Sequence, residues 1–213
     1  MIKELNCILI GYALLMSPIY SQSVLIDQSC APVTSSISGN LYLTHDAEGY
    51  YTGLGQEFMP SFSTINFVDL YVLADINSQV RYAIWASIYS DTINGPLLGT
   101  SMPTYLDRNF GKGAARLTFA NDIPLTPGQR YVIKPDAGGG PGGGNPDLIE
   151  FFVLDPSYSN YENGRALYGG PVENRDMWFR EGLIVPEPST FALAGLALGL
   201  GWLGWNWSKR KAS

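Results

Sequence analysis

Residues 155–170 contain the side chains best suited to binding a carbohydrate. Tyr158, Tyr161, Arg165 and Tyr168 lie within one short stretch that is also rich in asparagine and glycine. Flat aromatic rings pack against the apolar faces of sugar rings, and guanidinium groups donate hydrogen bonds to hydroxyl groups. A long loop that packs its tyrosines against the edge of the domain explains the same pattern, and we favour that interpretation. Glycan contact stays open as the alternative.

The sequence contains no recognisable catalytic motif. His45 is the only histidine, which excludes histidine-rich metal sites and HExxH chemistry, and no GxSxG turn presents a nucleophilic serine. Glu57, Glu150 and Glu181 could pair for glycoside hydrolysis, but a sequence does not reveal which carboxylates lie at a catalytic separation. We therefore predict no catalytic residues and keep a carbohydrate-active enzyme as the alternative.

Neither a cofactor nor a metal site is predicted. The glycine tract at residues 138–144 lacks the Lys-Ser/Thr pair and the following helix of a phosphate-binding loop. Asp136, Asp147 and Asp155 lack the spacing of a calcium loop, although a structural Ca²⁺ held by distant loops stays open. The formal net charge is −6, and the middle of the chain has no cluster of Lys or Arg. This charge pattern excludes nucleic acid as a partner.

Residues 24–184 have the pattern of a single all-β domain. From Val80 to Ile88 every second residue is apolar, which places these side chains on one face of a strand. Turn sequences separate such segments, and no segment keeps a helical period. The predicted strands are 67–74, 80–89, 97–102, 114–119, 130–135, 148–154 and 177–184.

Two resemblances narrow the fold class. Residues 125–131, Leu-Thr-Pro-Gly-Gln-Arg-Tyr, resemble the tyrosine corner of Greek-key sandwiches, in which the tyrosine hydroxyl bonds back to upstream backbone. We predict that structural role for Tyr131. Segments 55–58, 95–100 and 178–182, in this order along the chain, resemble the choice-of-anchor domains of bacterial surface proteins. This resemblance implies a jelly-roll-like antiparallel β-sandwich without an established activity.

Residues 1–23 have the features of a signal peptide. Lys3 precedes an apolar stretch at residues 7–20 that is too short to span a bilayer comfortably. Small residues at the end of the segment predict cleavage by signal peptidase after Ser23. The mature domain then keeps Cys30 alone, which we interpret as a small buried hydrophobe.

Residues 185–213 carry the most specific pattern of the chain, in three successive parts. A Pro-Glu-Pro string fixes an extended backbone, an apolar segment follows at residues 191–207, and a basic cluster ends the pattern. A helix over the apolar segment, at about 1.5 Å per residue, is near the minimum for crossing a bilayer. Basic clusters stay cytoplasmic, so the preceding domain is expected outside. The string is Pro186, Glu187 and Pro188, and the cluster is Lys209, Arg210 and Lys211.

These parts, in this order, resemble the PEP-CTERM sorting signal of bacteria that make extracellular polysaccharide. The resemblance implies recognition by an exosortase, a membrane cysteine protease that cleaves near the motif. We expect a transient stay in the inner membrane with the domain on the periplasmic side, then release to the cell surface or extracellular matrix. The predicted function is a non-enzymatic surface or matrix protein associated with exopolysaccharide. The alternatives are an enzyme acting on that polymer and a purely structural or adhesion component.

Overall fold

The three-dimensional structure is a computed structural model. It describes residues 22–32, 39–43, 53–74, 81–107, 109–139, 149–159, 161–169, 171 and 175–186. Most of the predicted signal peptide, the apolar segment 191–207, Glu187, Pro188 and the basic cluster at residues 209–211 lie outside the described residues.

The described residues form twelve β-strands and no helix. Their pairings are antiparallel, which confirms the all-β prediction with antiparallel sheets. The strands are β1 (Gln22–Cys30), β2 (Gly39–Leu43), β3 (Gly55–Phe58), β4 (Thr64–Ala74), β5 (Tyr82–Ser90), β6 (Leu97–Thr100), β7 (Thr104–Leu106), β8 (Lys112–Pro124), β9 (Tyr131–Gly139), β10 (Ile149–Leu154), β11 (Ala166–Leu167) and β12 (Phe179–Pro186).

The first of two six-stranded sheets is centred on β4. One side of β4 pairs with β8 over most of its length. The other side pairs with β12 over residues 67–70 and with β10 over residues 72–74. Beyond these strands, β1 is the neighbour of β12 and β2 is the neighbour of β10.

The second sheet is centred on β5 and β9, which pair over the whole length of β5. β6 and β7 lie end to end along the other side of β5. β3 pairs with the free side of β9, and the short β11 pairs with β3. The N–H group of Met102, between β6 and β7, donates to the Thr118 carbonyl of β8 at 2.8 Å. This bond joins the two sheets along one side.

Apolar side chains from both sheets form one buried core, as in a β-sandwich. The alternation predicted along β5 is confirmed, because Tyr82, Ile84, Ala86 and Ile88 are all buried in this core. Val80 lies outside the described residues. The finer description as a jelly roll stays a prediction.

The central strand β4 is buried on both faces, unlike a half-exposed strand. Phe67 and Asp69 alternate with core positions, yet both are buried. The guanidinium carbon of Arg116 lies 4.4 Å from the centre of the Phe67 ring. Arg116 and Arg180 both bind the Asp69 carboxylate, at 2.8 Å each. The long side chains of neighbouring strands thus cover the outer face of β4.

The predicted tyrosine corner is present. The N–H group of Thr126 donates to the Tyr131 hydroxyl at 2.8 Å, and the Tyr131 ring is buried with its centre 5.9 Å from that of Phe58. Gly128 has a φ of +77°, the left-handed conformation that favours glycine, so the turn before β9 is built for this residue. The structural role predicted for Tyr131 is confirmed.

Residues Val24–Leu183 form one compact unit. β12 continues past residue 184 to Pro186. The predicted boundaries at 23 and 184 stay predictions. No helix within the described part of the chain is long and apolar enough to cross a membrane, and residues 191–207 fall outside that part.

Candidate functional site

A cleft of about 460 Å³ opens beside β3, the turn after β5 and the segment after β11. Its volume falls in the range of roughly 300–1,000 Å³ that is usual for small-molecule sites. Both polar and apolar side chains face it. The polar lining residues are Glu57, Asp91, Thr92, Asn94 and Arg130, and the apolar ones are Ile93, Leu167 and Pro171.

Glycines let the walls of the cleft approach closely. A Cβ atom on Gly164 would lie only 2.0 Å from the carbonyl oxygen of Glu57, so no other residue fits there without backbone movement. Gly53 has a φ of +71° and packs against the backbone nitrogen of Gly169. The segments that border the cleft are therefore held at fixed positions by their backbones.

The turn between β5 and β6 forms one wall. Asp91 has a φ of 65°, a left-handed conformation that aspartate adopts more readily than most residues. The Asp91 N–H group donates to the Arg130 carbonyl at 3.0 Å, and the Gly95 N–H group donates to the Thr92 carbonyl at 2.9 Å. These bonds fix the turn that carries the Asp91 and Asn94 side chains of the lining.

Glu57 lies between two arginines, and we call Arg130, Glu57 and Arg165 the charged row. Arg130 directly precedes β9 and Arg165 directly precedes β11, and both strands pair with β3, which carries Glu57. The topology therefore brings both guanidinium groups to one carboxylate. The distances are 3.7 Å from Arg130 Nη1 to Glu57 Oε1 and 3.4 Å from Arg165 Nε to Glu57 Oε2.

The two arginines of the charged row reach into solvent, whereas the carboxylate does not. The side chains of Arg130 and Arg165 are 51% and 47% exposed, and that of Glu57 is 12% exposed. The backbone N–H group of Glu57 donates to the Arg165 carbonyl at 2.9 Å. This bond holds Arg165 beside β3 independently of its side chain.

Asp69 offers an internal comparison, since it also lies between two arginines. Arg116 donates to it from Nε and Nη2 at 2.8 and 2.9 Å, and Arg180 donates from Nη2 at 2.8 Å. These distances are those of complete charge-assisted hydrogen bonds. Both ion pairs of Glu57 are longer, so the charged row keeps donor and acceptor capacity for another polar group.

Tyr158 and Tyr161, two of the four residues predicted for glycan contact, pack against the core. The Tyr161 hydroxyl accepts a hydrogen bond from the Met59 N–H group at 2.9 Å, and its ring meets Phe179 edge to face at 5.2 Å. Burial raises the pKa of Tyr161 to about 12. The packing interpretation thus describes these two tyrosines.

Arg165 and Tyr168, the other two predicted residues, do not line the cleft themselves but adjoin residues that do. Arg165 belongs to the charged row, and Tyr168 is 42% exposed between the lining residues Leu167 and Gly169. The sequence interpretation missed Arg130 as a site residue and treated Glu57 only as a possible catalytic acid. The available signal was Glu57 itself, because a charged residue inside a fully buried strand needs cationic partners.

The three glutamates considered for catalysis have separate surroundings. Glu57 belongs to the charged row in β3, and Glu150 lies in β10 opposite Leu43. Glu181 in β12 has no exposed surface, and burial raises its pKa to about 9, with the charge of nearby Asp27 acting in the same direction. Among the described residues, no three His, Cys, Asp or Glu side chains are arranged to hold a metal ion.

The C-terminal pattern assigns the protein to a class. A Pro-Glu-Pro string, an apolar segment and a basic end follow the all-β domain, which is the order of parts in a C-terminal sorting signal of an exported protein. Within that class, residues 185–211 match the PEP-CTERM protein-sorting motif, which confirms the predicted resemblance to this signal. The chain is an exported, exosortase-sorted protein of the cell surface or extracellular space.

Pro186 of this motif is the last residue of β12, and it is exposed.

No curated protein matched the chain. The resemblance of the domain to choice-of-anchor domains stays a prediction.

Proposed function

We propose that this protein is a non-enzymatic component of the cell surface or extracellular matrix, and that its β-sandwich domain binds exopolysaccharide. The sorting motif at residues 185–211 carries the proposal, because the resemblance to PEP-CTERM signals implies a bacterium that makes extracellular polysaccharide. The cleft in the domain supports the binding role, since it offers hydrogen-bonding groups beside apolar surface.

The surroundings of the glutamates favour binding over hydrolysis. Glycoside hydrolysis needs an acid and a second carboxylate that both reach the bound sugar, about 5–10 Å apart. Glu181 has no exposed surface, so a polymer cannot reach it without opening the sheet. Glu57 faces two guanidinium groups, as a carboxylate in a binding site does. An enzyme acting on the polymer is thus the less favoured alternative.

The proposed route to the surface follows the ends of the chain. Signal peptidase removes residues 1–23, and the apolar segment 191–207 holds the protein in the inner membrane. Lys209, Arg210 and Lys211 stay on the cytoplasmic side because basic residues resist translocation. The exosortase then cuts near Pro186, Glu187 and Pro188 and releases the domain.

A second candidate, a structural or adhesion component without a glycan ligand, is favoured by one observation. Val24, Leu25 and Ile26 are three consecutive apolar residues in β1, and each is about 40% exposed. β1 ends the order of described strands in its sheet. An exposed apolar strand at a sheet edge is a site for association with other chains.

Processing of the tail tests the sorting part of the proposal. The Glu187→Ala variant and the wild-type chain are expressed in a host that has its exosortase, and the C-terminal peptide is measured by mass spectrometry. We expect the wild type to lose residues 209–211 and the variant to keep them in the membrane fraction. Glu162→Ala, at an exposed glutamate within the domain, is the control and should be processed normally. An intact basic terminus on the wild-type protein contradicts the proposal.

Cosedimentation with the polymer tests the binding part. Protein purified from the extracellular fraction is mixed with exopolysaccharide extracted from the same cells and centrifuged. We expect the protein in the pellet, and release when an excess of soluble polymer fragments is added. Protein that stays in the supernatant at every polymer concentration favours the structural candidate.

A further inference from the structure

We infer that the charged row of Arg130, Glu57 and Arg165 binds the hydroxyl groups of a neutral sugar. This inference rests on the proposed function and specifies both its site and the chemical class of its ligand.

The lengths of the two ion pairs indicate hydroxyl groups. A hydroxyl group accepts a hydrogen bond with its oxygen and donates one with its proton. Placed beside Glu57 and an arginine, it accepts from the guanidinium group and donates to the carboxylate. The existing distances of 3.7 and 3.4 Å leave both charged partners without a complete bond to each other. A sugar hydroxyl therefore gains two charge-assisted bonds without breaking one that is already formed.

The charge balance of the cleft indicates a neutral ligand. The lining residues Glu57 and Asp91 supply two negative charges, the lining residue Arg130 supplies one positive charge, and Arg165, paired with Glu57, supplies a second. The carboxylate of a uronic acid that approached the arginines would also approach these two acids, and like charges oppose binding. The whole chain adds to this repulsion, because its formal net charge is −6.

The remaining walls of the cleft fit the other parts of a sugar ring. Thr92 and Asn94 add short polar side chains that both donate and accept hydrogen bonds. Leu167 and Pro171 add apolar surface of the kind that contacts the C–H faces of a ring. The exposed Tyr168 directly follows Leu167 in the chain.

Backbone contacts hold the residues of the charged row in position without a bound ligand. The close contact of Gly164 with the Glu57 carbonyl and the 2.9 Å bond from Glu57 N–H to Arg165 carbonyl set the spacing of the row. On the other side, the Asp91 N–H group holds the Arg130 carbonyl at 3.0 Å. Groups that are already in place lose less conformational entropy on binding.

Substitution of the arginines tests the site. Wild type, Arg130→Gln and Arg165→Gln are titrated with four neutral polymers (dextran, laminarin, galactomannan and xyloglucan) and with alginate, a polymer of uronic acids. We expect the wild type to bind at least one neutral polymer, with less than a twofold change between about 50 and 500 mM salt, because a neutral ligand releases no counterions. Each arginine variant should bind that polymer about tenfold more weakly, the loss expected for a hydrogen bond from a charged group.

The matched control is Arg81→Gln. Like Arg130 and Arg165, Arg81 lies at the surface beside a carboxylate: its side chain is 58% exposed and 3.8 Å from Asp107. Arg81 does not line the cleft. Its affinity for the polymer should equal that of the wild type. Equal unfolding temperatures of the three arginine variants show that a loss of binding is not a loss of fold.

Glu57→Gln tests the chemical class of the ligand. Without the negative charge of Glu57, the two arginines form an uncompensated positive site, so alginate should bind more tightly to this variant than to the wild type. Neutral binding should fall, because an amide is a weaker acceptor than a carboxylate. If the variant does not fold, the arginine variants still decide the inference.

Several results overturn the inference, and they differ from a failure of the proposed function. Wild-type binding to alginate alone, equal binding by the arginine variants, or no binding to any neutral polymer each refutes it. If the cell's own extracted polymer binds wild type and row variants equally, the site is wrong but the proposed function stands. If that polymer does not bind the wild type at all, the binding part of the proposed function fails as well.

Discussion

The carboxyl group of Glu181 in β12 lies beside that of Asp27 in β1. Asp27 accepts hydrogen bonds from the N–H groups of Ser61 and Phe62, both at 2.8 Å, and its carboxylate also contacts the Ser61 hydroxyl. Glu181 has no exposed surface, and burial first, then the charge of Asp27, raise its pKa to about 9. Glu181 therefore keeps its proton at neutral pH, and the two strands meet through a neutral acid next to a carboxylate.

The stability of the fold should fall as the pH rises because of Glu181. Its pKa is about 9 in the folded protein and 4.5 in an ordinary setting, so between these values the folded state holds the extra proton. The contribution to the free energy of unfolding decreases by about 1.4 kcal/mol per pH unit across this window. Urea unfolding of Glu181→Gln at pH 4, 6 and 8 should show a growing advantage over the wild type. Glu150→Gln is the control, and parallel curves for Glu181→Gln and wild type would contradict the assignment.

Removal of the Asp69 carboxylate should destabilise the domain strongly. Asp69→Ala leaves two guanidinium groups, which now bind it at 2.8 Å each, without their partner on the covered face of β4. We expect a loss of about 3 kcal/mol in the free energy of unfolding, measured in urea. Asp107→Ala removes a carboxylate that is 84% exposed and 3.8 Å from its arginine, so it should cost less than about 0.5 kcal/mol. Equal losses would mean that the Asp69 cluster contributes no more than a surface pair.

Loss of the Tyr131 hydroxyl should remove its short bond from the Thr126 N–H group and its longer one, of 3.3 Å, to Gln129 Oε1. In Tyr131→Phe the Thr126 N–H group, now bonded at 2.8 Å, has no acceptor at that position. The expected decrease in the free energy of unfolding is about 1 kcal/mol, and the midpoint of thermal unfolding reports it. Tyr105→Phe, at a tyrosine that is 52% exposed, should leave the midpoint unchanged. If Tyr131→Phe unfolded at the same midpoint as the wild type, the tyrosine corner would not contribute to the stability of the domain.

The close backbone contact at Gly164 should not tolerate a side chain. A Cβ atom there meets the Glu57 carbonyl at 2.0 Å, so Gly164→Ala must push the turn away from β3. We expect a loss of about 1 kcal/mol or more in stability, measured by urea unfolding, and weaker polymer binding, because Arg165 moves with the turn. Gly113→Ala places its Cβ at an ordinary 3.7 Å from Phe110 and is the matched control. Wild-type stability in Gly164→Ala would show that this segment is not held as described.

Local patterns predicted the parts of the fold that depend on neighbours in sequence. The alternation from Tyr82 to Ile88 gave the correct buried face of β5, because one face of that strand meets the core. The turn before Tyr131 specified a bond that spans only five residues. Strands of two to four residues, such as β3, β7 and β11, are too short to show a period, and the sequence interpretation missed them.

The charged row depends on contacts that sequence spacing does not encode. Glu57 and Arg130 meet only because β9 pairs with β3, and Arg165 joins them only through β11. The same limit applies to the tyrosines of residues 155–170. Tyr161 and Tyr168 lie only seven residues apart, and the position of Phe179 beside Tyr161 covers the ring of Tyr161.

β12 runs to Pro186, and its residues 179–182 are bonded to β4. The last strand of the sandwich therefore ends where the sorting motif begins. A cut on the C-terminal side of residue 186 leaves this last strand whole. Such a cut would therefore require no rearrangement of the domain. A cut a few residues earlier would instead shorten β12, the strand between β1 and β4 that carries Glu181.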